Sequence, residues 1–377
     1  MTRALILTPV LLLGGTERHT QLLARVLCAA GHDVEVVCYY EHAPAMVTGV
    51  QAAGARVTLL NLRRREGLLR LLRVLKALIR KARPDVVHVE YVAPGFVPVL
   101  AARLAGARRL FATVHQPATP YGWKARLLLR TAARLCTAFF CVSQAVERSW
   151  FGDSEVWTAG RDVHSRRHWT LYTGVDVEAV SKRAAQECPA LRAKLGLAER
   201  PVVGVVGRLR REKGQDILLD AMAEVVKEVP EARLLVVGDG PDREAFQAQA
   251  RRLGLEGAVV WAGPAAPEAV HAYYGAMDVL AVPSRFEGFG LVAVEGLAAG
   301  LPVAASDVEG LREILEGMPG GKLVPAGDAS ALVKAIIELL QDPKARAKFG
   351  AQGKAEVARR FSMEAFAVAH RELCGEE

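Results

Sequence analysis

The sequence predicts an α/β chain of two parallel-sheet domains, each with helices on both faces of its sheet. Three observations carry this. The chain has 377 residues, more than one ordinary core holds. Short apolar runs alternate with amphipathic helical stretches. The same alternation starts again after a charged break between about residues 180 and 200. With 51% hydrophobic and 24% charged residues, the chain can bury two cores and is not of a disordered class.

In the first half, residues 4–8, 33–38, 56–60, 85–89, 110–115 and 138–142 read as strands. Amphipathic stretches such as 16–30 and 68–82 lie between them. Residues 149–169 are rich in Trp, His and Arg, fit neither period, and are expected to form an irregular surface loop. The break at 181–199 is charged and carries Pro189 and Gly196, so it is expected to be a linker. Pro201 then opens a second series of strands at 202–207, 233–238, 259–262, 279–283 and 302–305, with a helix at 215–229. The expected domains are 1–180 and 200–354, with 355–377 crossing back onto the first. Two such units would face one another across a cleft, with ligands at the carboxyl ends of the strands.

Charge divides the chain unevenly. Residues 1–199 hold 28 Lys+Arg against 15 Asp+Glu, net +13; the remainder holds 21 against 26, net −5. A basic half points to an anionic partner, either a phosphorylated or lipid-linked acceptor or an anionic membrane surface. The cationic stretch 63–83, with Leu and Val at helical spacing, is the candidate membrane element; equally, it reads as a helix covering its own sheet. Nucleic acid is disfavoured, because the cations are not interleaved with stacking aromatics. The six cysteines form no Cys-x-x-Cys pair, which argues against a zinc site and for a reducing, cytoplasmic setting. No apolar run reaches the roughly 18 residues of a spanning helix.

The chemistry concentrates in residues 283–300. A strand ends at Pro283, glycines at 288 and 290 allow a tight turn, and the apolar run from Leu291 reads as a buried helix. Free N–H groups and the positive end of that helix suit a phosphate. Glu287 on the turn and Glu295 about a turn into the helix suit sugar hydroxyls. After the strand ending at Gly207, Arg208 and Lys213 could clamp a diphosphate and stabilise it as it leaves; taken alone, the same loop is a solvated basic loop. Gly238 lies in a further strand-end turn, and Gly14 and Gly15 lie between the first strand and first helix. His88 and His115 close or nearly close strands. His115 is the better candidate at a sugar, and His88 reads equally well as a core histidine. His19 is placed on the acceptor side or at the surface. No two aspartates stand two apart, so no metal site of the Asp-x-Asp kind is expected, nor a cofactor.

These segments together resemble the retaining glycosyltransferases of family four, which have the GT-B fold. The resemblance runs through Gly14-Gly15, DVVHVE, TVHQ, CVSQAV, YTGVD, GRLRREKG, LLVVGDGP, PSRFEGFGLVAVEGLAAGLPV and LVPAGD. Its most specific element is Glu, seven residues, Glu, from Glu287 to Glu295. The resemblance implies that Arg208 and Lys213 bind the diphosphate of a UDP- or GDP-sugar. Glu287 would meet the sugar, the N–H groups of Phe289, Gly290, Leu291 and Val292 with Gly288 would line sugar and phosphate, and Glu295 would hold the ribose. Backbone near Gly263 would meet the base, Gly15 the phosphate, and His115 the sugar near its reacting carbon. It further implies transfer of a hexose in polysaccharide, lipopolysaccharide or glycolipid synthesis, at the inner membrane face. The family usually has Asn where Thr173 stands here. The competing expectations are another GT-B chemistry, epimerase or phosphorylase, and a non-catalytic nucleotide-binding scaffold.

Overall fold

In a computed structural model the chain divides into two compact units, Met1–Gly174 with Met363–Glu377, and Val175–Ser362. The structure describes residues 1–91 and 95–375. The first unit runs β1 (Arg3–Thr8), α1 (Gly15–Ala29), β2 (Asp33–Cys38), α2 (Pro44–Ala52), β3 (Arg56–Leu59), α3 (Leu68–Ala82), β4 (Val86–Tyr91), α4 (Val97–Ala105), β5 (Arg109–Val114), α5 (Trp123–Leu135), β6 (Ala138–Cys141), α6 (Gln144–Phe151) and β7 (His168–Thr170). Its strands form one parallel sheet in the order β3-β2-β1-β4-β5-β6-β7. Strands buried on both faces need apolar residues on both sides, which is why β1 and β5 show no polar alternation.

The second unit runs α7 (Val177–Lys194), β8 (Val202–Val206), α8 (Gln215–Glu228), β9 (Arg233–Val237), α9 (Arg243–Arg252), β10 (Val259–Gly263), α10 (Pro267–Gly275), β11 (Val279–Val282), α11 (Leu291–Ala298), β12 (Val303–Ser306), α12 (Glu309–Leu315), β13 (Gly321–Val324), α13 (Ala329–Gln341) and α14 (Pro343–Arg360). Its parallel sheet has the order β10-β9-β8-β11-β12-β13. The chain then returns to the first unit as α15 (Met363–Leu373), whose Phe366, Ala369 and Leu373 join that core. In both sheets the winding direction reverses beside the first strand, between β1 and β4 and between β8 and β11. Loops diverge there and leave room for a ligand.

Four expectations change. The stretch 181–199 is not an irregular linker: most of it is α7, which packs on α10 within the second unit. Pro189 removes one helix donor, yet Arg192 ties the far end down by bonds to the carbonyls of Ala198 and Ala276, 2.8 and 2.9 Å. The return to the first unit begins at Met363 rather than 355, because α14 continues to Arg360 on the second unit. Residues 149–169 are an irregular, mostly exposed excursion only over 152–167; the ends belong to α6 and β7. The excursion is nonetheless anchored in the core: Trp150, Trp157 and Trp169 are fully buried, with the indole N–H of each on a backbone carbonyl. Strand β13 completes the second sheet and was missing from the reading of the sequence.

Candidate functional site

In the second unit, three strand-end loops meet backbone to backbone. The loop after β8 donates Gly207 N–H to Val237 O, at the end of β9, and Leu209 N–H to Asp239 O, in the loop after β9, both 3.0 Å. The loop after β11 donates Arg285 N–H to Glu212 O, 2.9 Å. Gly214 has φ +71°, and a Cβ there would lie 1.9 Å from the Pro283 carbonyl oxygen. Only glycine permits that approach. A Cβ on Gly310 of α12 would likewise lie 2.4 Å from the Glu287 carbonyl oxygen. Gly238 N–H bonds the carbonyl of Gly263, 2.8 Å, at the ends of β9 and β10.

This framework sets Lys213 and Glu287 against each other. Lys213 Nζ donates to both Glu287 carboxylate oxygens, 3.0 and 2.8 Å, and Ser284 Oγ donates to Oε2 at 3.2 Å. Arg285 points away and forms a two-pronged pair with Asp216 at the start of α8, 2.8 and 2.7 Å. Arg208 is exposed, and among the described residues no ion pair engages it. Gly290 caps α11 with φ 92°, and the first N–H groups of that helix, at Leu291 and Val292, have no partner inside it. Phe289 is buried, its ring against Phe361 at 5.5 Å. Glu295 lies one turn into α11, where Tyr274 Oη donates to its Oε2 at 2.8 Å. Two cations, a carboxylate and a helix N-terminus thus stand at the reversal point between β8 and β11, a grouping suited to a diphosphate joined to a polyol.

In the first unit, Gly14 and Gly15 are exposed at the start of α1, and a Cβ on Gly15 would meet nothing within 4 Å. Strand alternation puts His88 and Glu90 of β4 on one face, which α1 and α15 cover. Glu90 is fully buried. His115 Nε2 lies 2.6 Å from its Oε2, and His88 Nε2 and His19 Nε2 lie 3.3 and 3.6 Å from its Oε1. His19 Nδ1 meets Thr173 Oγ1 and His88 Nε2 meets Thr113 Oγ1, both at 2.8 Å. His370 of α15 packs on His88, ring centroids 5.8 Å apart. Burial holds His19 and His88 down at about 4 against the pull of Glu90, and His115 at about 3. Burial also holds His370 well below the usual value.

Each predicted site residue therefore has a place, and one changes character. His19 is sealed at 2% exposure and is not at the surface, whereas His88, at 4%, is a buried core histidine, one of the two readings its sequence allowed. His115 is the least enclosed of the three. Glu90, Tyr274 and His370 were missed. The signal for Glu90 was present: in DVVHVE two polar residues stand two apart in a Val strand and must share a face.

Residues 13–178 match the model described as Glycosyltransferase Family 4, and residues 189–356 that of Glycosyl transferases group 1. A GDP-mannose-dependent mannosyltransferase of monoacylated α-(1-6)-phosphatidylinositol monomannoside from Corynebacterium glutamicum is 31% identical over 304 residues, covering 76% of this chain and 75% of that one. The chain belongs to the group 1 glycosyltransferases. A second relative in the family, the GDP-mannose-dependent α-(1-6)-phosphatidylinositol monomannoside mannosyltransferase of Mycolicibacterium smegmatis, is 34% identical over 67% of this chain. A D-inositol 3-phosphate glycosyltransferase of Segniliparus rotundus is 44% identical over 47% of it. The chain spans 66% and 40% of those two relatives' own lengths. Among solved structures, HepE of Anabaena in complex with UDP and glucose superposes over the whole of both chains with TM-score 0.81 and 23% identity. That likeness establishes the GT-B fold.

The buried imidazoles of this family member make its first unit acid-sensitive. Unfolded, each takes a proton near pH 6.5; folded, His19 and His88 do so only near 4 and His115 near 3. The unfolded state therefore binds more protons between those values, and stability falls as pH drops from 6.5 toward 4. The urea midpoint followed by tryptophan fluorescence, which reports mainly on Trp123, Trp150, Trp157 and Trp169 of this unit, should decline steadily over that range. A flat or rising midpoint would contradict the assignment.

Proposed function

We propose that this chain transfers a hexose, with retention of anomeric configuration, from a nucleoside-diphosphate sugar to an anionic glycan or lipid-linked acceptor. The observation that carries the reading is the grouping of Arg208, Lys213, Glu287 and the α11 N-terminus at the reversal point of the second sheet. In this proposal Arg208 and Lys213 bind the diphosphate and stabilise the charge that develops as it departs. Lys213 is then shared between phosphate and Glu287, which meets the sugar hydroxyls. The N–H groups of Leu291 and Val292 reach sugar and phosphate. Glu295, steadied by Tyr274, holds the ribose. Gly263 lies beside the base, Gly15 beside the phosphate, and His115 beside the reacting carbon. Attack comes from the face the diphosphate leaves, and the departing phosphate takes the acceptor proton. The fixed cations do the work that a divalent metal does elsewhere, so no metal is required.

GDP-mannose is the first donor to test, because two relatives are named as dependent on it. The names of all three relatives carry an inositol phosphate. An acceptor of that charge fits the net +13 of residues 1–199. Thermal unfolding should shift upward with millimolar GDP or UDP in the presence of EDTA. Donor and acceptor together should yield glycosylated product. Glu287→Ala and Lys213→Ala should each keep the fold and lose about 100-fold or more in kcat. Full turnover by either variant removes the assigned roles, and epimerised donor formed without acceptor points to another GT-B chemistry.

A peripheral position on the cytoplasmic membrane face follows as a second reading. Leu71, Leu75 and Ile79 of α3 are buried, but Leu68 and Leu69 are 63% and 70% exposed. On α5, Trp123, Leu127 and Leu128 are exposed among Lys124, Arg126 and Arg130. Apolar side chains ringed by cations suit the interface of an anionic bilayer. Among the described residues no helix is long and apolar enough to cross a membrane. The protein should float with vesicles containing anionic lipid and sediment free from neutral ones. Equal behaviour with both would contradict this placement.

A further inference from the structure

The cluster around Glu90 has the residue types of a metal site, but its geometry is that of a proton holder. Two ligands of one zinc ion stand about 3.3 Å apart, given metal–ligand distances near 2 Å in a tetrahedron. His115 Nε2 and Glu90 Oε2 stand only 2.6 Å apart, a hydrogen-bond distance. A carboxylate oxygen only accepts, so the proton belongs to Nε2 of the ring. We propose that Glu90 is a positioning residue for His115: it fixes the imidazole with its proton on Nε2 and leaves the Nδ1 lone pair to accept from a hydroxyl of the donor sugar. This inference rests on the proposed placement of His115 at the sugar.

Three further observations fit that role. Glu90 is 0% exposed and sits on strand β4, while His115 keeps 9% exposure. Its ring is also held edge-on by His19, with centroids 4.9 Å apart. His19 is in turn fixed by Thr173. Glu90 Oε1 makes no hydrogen bond and faces His88 Nε2 and His19 Nε2, so the carboxylate is hemmed in on its other side and presents Oε2 to His115. Since His115 stays neutral when buried, its free nitrogen accepts rather than donates.

The test reads the tautomer directly and the reaction separately. In the full-length protein with 15N-labelled histidine, long-range proton–nitrogen spectra at pH 7, assigned with His115→Ala, should show His115 protonated at Nε2 only. Glu90→Leu, which removes the acceptor, should populate the Nδ1-protonated form and lower kcat about 10- to 100-fold with donor KM little changed. Glu90→Gln retains an acceptor oxygen and should restore most of both. A wild-type ring protonated at Nδ1 overturns the proposal without any variant being needed. So does a His115 tautomer unchanged in folded Glu90→Leu. If His115→Ala transfers sugar at the wild-type rate, the placement of His115 at the sugar fails instead, while the tautomer result stands on its own.

Discussion

The close approach of three strand-end loops in the second unit is the constraint on which its site depends. Lys213 and Glu287 are 74 positions apart in the chain, yet their contact leaves little slack at 2.8–3.0 Å. Such a pair persists only if the backbones carrying it cannot drift. Gly214 against the Pro283 carbonyl and Gly310 against the Glu287 carbonyl remove the side chains that would hold the loops apart. The Arg285–Asp216 pair then ties the loop after β11 to α8. Exposed ion pairs of this kind contribute little stability. What the loops supply is position: a cation, a carboxylate and the start of α11 fixed relative to one sheet.

The first unit solves a different problem. A fully buried carboxylate is costly unless it is surrounded by groups that can share its charge. Glu90 is met by imidazoles from α1, β4 and the end of β5, and these are sealed over by α15 from the far end of the chain. The cluster is therefore complete only when the C-terminal helix has docked. Thr173, which stands where the family usually has Asn, supplies the hydroxyl that meets His19 Nδ1.

Both sheets were legible in the sequence because strands buried on both faces leave apolar runs that turn residues interrupt. The strands that escaped, β7 and β13, are short: three and four residues. The first of them sets its one aromatic core residue, Trp169, among polar Arg and His. A charged surface also disguised α7 as a linker, and Pro189 strengthened that misreading; its contact with α10 is tertiary and leaves no local trace. Glu287 and Glu295 were legible because they lie in one contiguous motif, and Arg208 and Lys213 because they lie in another. Their pairing was not, because the Lys213–Glu287 contact joins two loops distant in sequence. Glu90 stood in plain view two residues from His88, but a buried carboxylate acquires meaning only with its partners from other elements.

In the proposed function, the loops after β8 and β11 hold a nucleoside diphosphate. Hydrogen–deuterium exchange of the full-length protein with saturating GDP or UDP, whichever binds, tests this most directly. Exchange should slow chiefly in residues 207–214 and 286–293, around Lys213, Glu287 and the first N–H groups of α11. Saturated binding that leaves both segments exchanging as in the free protein would contradict it.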